Sequence, residues 1–262
     1  MVIVATSDQH LGSDTSNQSS FEEFLDQIVR TDTTITDFVL LGDVVDMWRR
    51  DASGVFLENR KIFENILSLP KNIKVHYVYG NHDYHLRHLK DHSYPFEFKE
   101  CLPLFKHGRK YRFEHGHRFD NLQDERLMEA LCRVMSDEIG GFESEVWEIL
   151  TKKEGSLHNV YPFIFDKRSN RQLVQELLRK PKDRVTVTTD DIQKKACSDV
   201  KPGEILVFGH THVPFINEKG TVVNTGCWMM DEPIHNTYVR LDADGPRLFE
   251  FDKGEITKRV KC

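Results

Sequence analysis

The first third of the chain alternates between short apolar runs and segments whose apolar residues recur at helical spacing. Residues 2–6, 38–41 and 75–79 are runs rich in β-branched or aromatic residues that predict buried strands. Between them, apolar positions three or four residues apart predict amphipathic helices near 21–29 and over 55–67. Strands that alternate with helices predict parallel pairing through right-handed crossovers, and ligands bind at the carboxyl ends of such strands.

Beyond residue 200 the pattern changes to short apolar runs separated by Gly, Asp and Pro turns. Turn residues at this spacing predict a series of short strands rather than helices. The strand candidates lie at 205–208, 213–216, 221–224, 237–241, 247–251 and 256–260. We expect this stretch to form a second sheet that is largely antiparallel.

Between these two parts the periodicity becomes helical and predicts an insertion. Leu127 and Leu131 belong to one apolar face, and Leu173 and Leu177 belong to another. Acidic residues dominate the first part of this stretch and basic residues the second. We therefore expect a core built from 1–120 and 201–262, interrupted at 121–200 by a helical cap.

Composition narrows the classes of function and the setting. Hydrophobic residues make up 39% of the 262 residues and charged residues 30%, as is typical of folded globular proteins. A net charge of −6 gives no general reason to expect a nucleic-acid binder. No apolar run approaches the ~20 residues of a membrane span, and the start lacks a signal-peptide pattern. The five cysteines form no CxxC pair, which favours reduced thiols and a cytoplasmic protein.

Short motifs rich in Asp, Asn and His are expected just after strands, where their side chains can converge. Each alone has an ordinary explanation as a turn or a helix cap, but their joint occurrence favours a metal site. Carboxylate and imidazole ligands without thiolates suit Mn, Fe, Zn, Co or Ni. In chain order the motifs are Asp8-Gln9-His10, Gly42-Asp43-Val44-Val45-Asp46, Gly80-Asn81-His82-Asp83, His115-Gly116-His117 and Gly209-His210-Thr211-His212.

This ordered set resembles the calcineurin-like metallophosphoesterase superfamily, whose pattern is DxH, GDxxD, GNHD or GNHE, H and GHxH. The resemblance implies an α/β (α+β) fold, a four-layer αββα sandwich of two mixed sheets, here with the helical cap inserted. It implies two metal ions that share Asp43, and it selects His115 rather than His117 as a ligand. The first ion would be bound by Asp8, His10, Asp43 and His212, and the second by Asp43, Asn81, His115 and His210.

The same resemblance implies a reaction, namely hydrolysis of a phosphodiester, phosphomonoester or pyrophosphate bond by a metal-activated water. Two divalent ions are expected, with manganese the first choice and iron, zinc, cobalt or nickel as alternatives. His82 would stabilise the transition state or protonate the leaving oxygen, with Asp83 or Asp46 orienting it. Asp83 is accordingly included with His82 as a catalytic candidate. His76 lies outside the motifs, and we expect it at the surface or in a loop.

The position of the insertion resembles the cap of the UDP-2,3-diacylglucosamine pyrophosphatases. Those enzymes typically have GNRD where this chain has GNHD, and this difference weakens the inference that the chain shares their substrate. Candidate substrate-binding residues are His117, Lys167, Arg168 and Arg171, which could hold an anionic group. We expect a small-molecule phosphoester or nucleotide-linked substrate. The alternatives are a nuclease of the same superfamily, which the acidic balance disfavours, and a non-catalytic metal-binding scaffold, which the intact motifs disfavour.

Overall fold

The computed structural model describes residues 1–89, 96–120, 187–257 and 259–260. Its helices are α1 (Gln18–Phe24), α2 (Ala52–Glu58), α3 (Arg60–Leu67) and α4 (Thr189–Asp199). A π-helical turn at Leu25–Val29 continues α1, and 3₁₀ turns cover Tyr84–His88 and His117–Phe119. The strands are β1 (Val2–Thr6), β2 (Ile35–Leu41), β3 (Lys74–Val78), β4 (Phe98–Lys99), β5 (Cys101–Lys106), β6 (Arg109–Glu114), β7 (Glu204–Phe208), β8 (Phe215–Asn217), β9 (Val222–Asn224), β10 (Thr237–Asp242), β11 (Gly245–Glu250), β12 (Gly254–Ile256) and β13 (Arg259–Val260).

The first sheet has the strand order β12-β11-β10-β1-β2-β3-β4. Strands β1 to β4 run parallel, as the alternation of strands and helices predicts, and β1 pairs with β10 in the antiparallel sense. The second sheet has the order β13-β8-β9-β7-β6-β5, and β7 runs parallel to both of its neighbours. Both sheets are therefore mixed, which confirms the expected fold class.

The expectation that the last stretch forms a largely antiparallel second sheet by itself is wrong. Strands β10, β11 and β12 join the first sheet, where they pair in the antiparallel sense. The second sheet is completed instead by the β5–β6 hairpin, which the apolar pattern did not reveal. The hairpin is hard to recognise because only two residues of its β6 strand, Tyr111 and Phe113, are apolar, which is too few to establish a pattern.

Side-chain alternation along single strands explains the layers. In β1, Val2 and Val4 face the core under the helices α1 to α3, whereas Ile3 and Ala5 face the core between the two sheets. In β7, Val207 faces the core between the sheets, whereas Phe208 packs with Ile192 of α4 on the outer side. Helices thus cover the outer face of each sheet, and the four layers follow.

Helix α4 lies within the stretch predicted to be an insertion. Thr188 and Asp191 form a capping box at its start, and Ile192 and Ala196 are buried against the second sheet. The rest of the predicted cap, 121–186, lies outside the described residues. The division into core and cap stays a prediction.

Three further expectations concern burial, cysteines and membrane spans. His76 is buried on β3 rather than exposed, because it bonds to the Asp37 carboxylate at 2.9 Å. Cys101 and Cys227 are free, as expected of reduced thiols at those two positions. None of the helices described is long and apolar enough to cross a membrane.

Candidate metal centre

The predicted ligands meet where parallel strands of both sheets end. Asp8 and His10 follow β1, Asp43 follows β2 and Asn81 follows β3, all in the first sheet. From the second sheet, His115 follows β6, and His210 and His212 follow β7. The structure therefore brings all seven predicted metal-binding residues to one edge of the sandwich.

The backbone turns sharply at most of these positions. Among the described residues, five of the predicted ligands have left-handed backbone, a conformation that costs a non-glycine residue about 1–3 kcal/mol. Their φ angles are 56° at Asp8, 47° at His10, 50° at Asp43, 67° at His210 and 58° at His212. Backbone hydrogen bonds hold the turns, as when His10 N donates to the Asp43 carbonyl at 2.9 Å. The ligand spacing therefore arises from turns and not from extended strand geometry.

Glycines in two of the motifs allow the loops to approach each other. A Cβ at Gly42, where φ is 83°, would lie 2.4 Å from His115 Nδ1. A Cβ at Gly80 would lie 2.2 Å from Asp43 Oδ1. Neither position has room for a side chain, which explains in physical terms why both motifs begin with glycine.

One group of ligand atoms surrounds His10 Nε2. It lies 3.8 Å from Asp8 Oδ1, 3.9 Å from Asp43 Oδ2 and 3.2 Å from His212 Nε2. His212 Nε2 and Asp8 Oδ1 are 3.4 Å apart. Asp8, His10 and His212 lie close enough together for one ion to contact all three, and we call them, together with Asp43, the first subsite.

A second group surrounds the Asn81 side-chain oxygen. Asn81 Oδ1 lies 3.1 Å from both His115 Nε2 and His210 Nδ1. His115 Nε2 is also 3.1 Å from Asp43 Oδ2, the same oxygen that faces the first subsite. We call Asp43, Asn81, His115 and His210 the second subsite. The two subsites meet at Asp43.

The carboxylates each present one oxygen to the protein and one to the centre. Asp8 Oδ2 accepts hydrogen bonds from Ser7 Oγ and from the His210 backbone N–H. Asp43 Oδ1 accepts one from the His82 backbone N–H at 2.8 Å. Asp8 Oδ1 is buried and makes no hydrogen bond within the described part of the chain. A buried carboxylate oxygen without a donor is costly, and a divalent cation would satisfy it.

The charges of the centre favour a cation. Burial alone would lower the pKa of His10, but the hydrogen bond to Asp46 and the negative charges of Asp46 and Asp43 raise it to about 10. Burial is likewise opposed at His115, where Asp43 and Asp8 raise the pKa to about 9. The carboxylates around these imidazoles therefore favour positive charge at the centre. The donor set, with oxygen and nitrogen atoms only, suits a transition-metal ion equally well.

His82 is held by two residues of the loop after β2. Its Nδ1 lies 2.9 Å from Asp46 Oδ1, and its ring stacks on Trp48 with centroids 4.0 Å apart. Burial lowers its pKa, although Asp46 and Asp43 oppose that effect. Asp46 is therefore the carboxylate that orients His82. Trp48 was not identified from the sequence, since a lone Trp beside a motif carries no functional signal.

Asp83 has different contacts. Its carboxylate accepts hydrogen bonds from Gly80 N at 2.5 Å, Val44 N at 3.0 Å and Tyr77 Oη at 2.7 Å. Burial and the charge of Asp43 raise its pKa to about 6. These contacts tie the GNHD loop to the loop after β2, and no described contact joins the carboxylate to the His82 ring.

The remaining predicted residues divide into two groups. His117 is buried with its ring 5.7 Å from that of His115, and burial followed by the charges of His115 and His210 lowers its pKa to about 3. Its Nδ1 makes no hydrogen bond among the described residues. Lys167, Arg168 and Arg171 lie outside the described residues.

Two carboxylates at the centre were missed by the sequence analysis. Asp120 Oδ2 lies 3.4 Å from His210 Nε2, and Glu232 Oε1 lies 3.6 Å from His212 Nδ1. Neither belongs to a recognised motif. Only the folded chain brings them to the outer nitrogens of two predicted ligands.

The chain is similar to one protein family and to several solved structures. The model of the family described as calcineurin-like phosphoesterase matches residues 1–214. No curated protein sequence matches the chain. Among solved structures, the E. coli phosphoesterase Yfce is 16% identical, with 98% of this chain and 97% of that chain covered and a TM-score of 0.49. An archaeal phosphodiesterase is 16% identical, with 95% and 99% covered and a TM-score of 0.43. Vps29 from Entamoeba histolytica, complexed with Zn²⁺, is 15% identical, with 97% and 94% covered and a TM-score of 0.41.

Proposed function

Since the chain belongs to the calcineurin-like phosphoesterase family, we propose that this metal-dependent phosphoester hydrolase works with two divalent ions that share Asp43. The observation that carries the proposal is the meeting of two groups of ligand atoms on one carboxylate oxygen, Asp43 Oδ2. The unpaired, buried Asp8 Oδ1 supports it, because an ion in the first subsite would satisfy that atom.

The residues that would hold the ions are those of the two subsites. Bound there, the ions would supply a water activated near neutral pH and charge to offset that of the phosphoryl oxygens. Manganese is our first choice, since oxygen and imidazole ligands without sulfur suit it, with iron, zinc, cobalt and nickel as alternatives. The sharing of Asp43 leaves each subsite with positions for water and substrate.

The chain itself contributes a proton donor. Asp46 accepts the Nδ1 proton of His82, which leaves Nε2 as the nitrogen available to a substrate. A lowered pKa makes the protonated ring a stronger acid, suited to give its Nε2 proton to the leaving oxygen. Stacking on Trp48 limits rotation of the ring during that step. We assign Asp83 a positioning role, because its contacts hold the loop that carries Asn81 and His82.

The substrate we propose is a small-molecule phosphoester or a nucleotide-linked phosphoester. The net charge of −6 supports a small molecule over a nucleic acid. Lys167, Arg168 and Arg171 stay candidates for holding its anionic part, and His117 is a candidate through its place beside His115.

The test begins with the purified protein reconstituted with Mn²⁺. We expect metal analysis to find two ions per chain and turnover of bis(p-nitrophenyl) phosphate. A screen of phosphate monoesters, nucleotide sugars and short single-stranded DNA then separates the substrate classes. Absence of bound metal after reconstitution would overturn the proposal. Cleavage confined to DNA would replace the small-molecule substrate with the nuclease alternative.

A further inference from the structure

The four histidines of the two subsites differ in what holds their outer nitrogen. His10 Nδ1 bonds to Asp46 at 2.9 Å, and His115 Nδ1 donates to the Leu41 carbonyl at 3.0 Å. The side chains of both histidines are almost fully buried, as is that of Asp46. Protein atoms that are themselves fixed therefore lock these two rings.

His210 and His212 are held differently, by the two carboxylates that the motifs did not predict. The Asp120 side chain is 28% exposed and that of Glu232 is 36% exposed. Their distances to the histidine nitrogens, 3.4 and 3.6 Å, are also longer than those at His10 and His115. Each carboxylate contacts a ligand of a different subsite, Asp120 the second and Glu232 the first.

Contacts with the core hold the segments that carry both carboxylates near these rings. Asp120 ends the 3₁₀ turn at His117–Phe119, and Lys195 of α4 anchors that turn by donating to the Phe119 carbonyl at 2.9 Å. Glu232 lies two residues beyond Met230, whose N–H donates to the Thr15 carbonyl at 2.8 Å. Both segments are therefore tied to the core close to the centre.

We propose that Asp120 and Glu232 are positioning residues that set metal affinity separately at the two subsites. The inference rests on the proposed two-ion function. A carboxylate that accepts the outer N–H of a ligand histidine fixes the ring and its tautomer and makes the inner nitrogen a better donor. Asp120, which hydrogen-bonds to His210 Nε2, acts in this way on the second subsite. Glu232 lies 3.6 Å from His212 Nδ1 and acts on the first subsite as the ion-pair partner of that ring.

The test measures metal binding directly. Metal-free full-length protein is titrated with Co²⁺, whose visible absorption reports each ion bound. We expect Asp120→Asn and Glu232→Gln each to weaken one of two binding steps by about 10- to 100-fold and to leave the other step unchanged. Asp231→Asn is the matched control, since Asp231 is an exposed neighbour of Glu232. Circular dichroism of the metal-free variants checks that each is folded.

Removal of the ligand histidines assigns the steps to the subsites. In a His210→Ala background, where the second subsite is lost, Asp120→Asn should have no further effect while Glu232→Gln keeps its full effect. In a His212→Ala background the pattern should reverse. A carboxylate with only a general structural role would act equally in both backgrounds.

The outcomes separate this inference from the proposed function. A wild-type protein that binds fewer than two ions contradicts the two-ion function. A wild-type protein that binds two ions, together with variants that behave like Asp231→Asn, overturns the positioning roles alone. Equal weakening of both steps by either variant also overturns them, because the subsites would then not be set separately.

Discussion

Two clusters of charged side chains lie side by side in this molecule, and they differ in how their charges are paired. Glu114 and His115 are consecutive residues, yet Glu114 belongs to an ion-pair network and His115 to the metal centre. In the network, Arg112 lies 2.5 Å from Glu114, 2.7 Å from Asp199 and 3.0 Å from Glu204. Arg118 pairs with Glu114 and Asp199 as well. Each carboxylate of the network faces a cation supplied by the chain.

The metal centre differs from the network. Asp8 Oδ1 is buried and makes no hydrogen bond within the described part of the chain, and Asp43 Oδ2 lies near the imidazole nitrogens of His10 and His115. The backbone is also left-handed at both residues. The difference shows that buried charge with its own partners stabilises a fold, whereas buried charge without them marks where a ligand completes the structure.

The largest effect is expected at the metal centre. Asp43→Asn removes the charge shared by both subsites, so we expect turnover of bis(p-nitrophenyl) phosphate to fall more than about 10³-fold with loss of bound Mn²⁺. Asp252→Asn is the control, since Asp252 is exposed and also has left-handed backbone, with φ 68°. Retained activity in Asp43→Asn would show that the centre is not completed by metal.

The next effect separates catalysis from metal binding within the metal centre. His82→Ala removes the proposed proton donor but no proposed ligand, so we expect turnover to fall about 10²- to 10³-fold. Metal content measured on the same sample should stay at two ions per chain. His107→Ala serves as control, because His107 is partly exposed and its Nε2 donates to the Met1 carbonyl at 2.8 Å. Unchanged turnover in His82→Ala would remove the catalytic role.

A third change removes one cation from the ion-pair network of Arg112 and Arg118. Arg112→Met leaves the carboxylates of Glu114 and Glu204 short of a partner, so we expect the free energy of unfolding to fall by about 2 kcal/mol. Urea unfolding measures it, with Arg247→Met as the control at a half-exposed pair with Asp242. Metal content per folded molecule should be unchanged. Loss of metal without loss of stability would mean that the two clusters are not separate.

The smallest effect concerns another carboxylate with ion-pair partners, Asp37, whose contacts link the two sheets. Lys106 of β5 and His76 of β3 both lie 2.9 Å from Asp37 of β2. Burial alone would raise the Asp37 pKa, but bonds to His76, Lys106 and Thr36 hold it well below its usual value. Such a carboxylate stabilises the fold above its unfolded-state pKa, about 3.9, and that contribution is lost as the pH falls toward the folded-state pKa.

Asp37→Asn should therefore lower the free energy of unfolding by about 1 kcal/mol at pH 7. The difference from wild type should shrink as the pH is lowered below about 4, where the wild-type carboxylate begins to lose its advantage. Urea midpoints of the metal-free proteins at several pH values test this, with exposed Asp244→Asn as control. A difference that does not depend on pH would contradict the assigned cause.

The sequence predicted the local features well, because they depend on neighbouring residues. The β-branched apolar run at Val2–Thr6 predicted a buried strand, and the motif positions predicted which residues would meet at the strand ends. Pairing between distant strands could not be predicted in this way. Ile3 lies opposite Leu241 in the antiparallel pair β1–β10, and neither segment carries a pattern that specifies the other.

The details of the centre were hidden for a related reason. The left-handed turns at Asp8 and His10 are held by hydrogen bonds to the loop after β2. The spacing of residues along the sequence does not reveal those bonds. Asp120 and Glu232 belong to no motif, and isolated acidic residues are common on protein surfaces. Their contacts with His210 and His212 exist only once the fold has formed.

The pairing of β1 with β10 has a consequence during synthesis. A ribosome releases the amino-terminal strand first, and the edge of β1 that later binds β10 stays unpaired until residues near 241 have emerged. An apolar strand with an open edge can pair with other nascent chains in that interval. We expect slow translation or loss of β10 to favour aggregation, and chaperones to bind the growing chain until the first sheet closes.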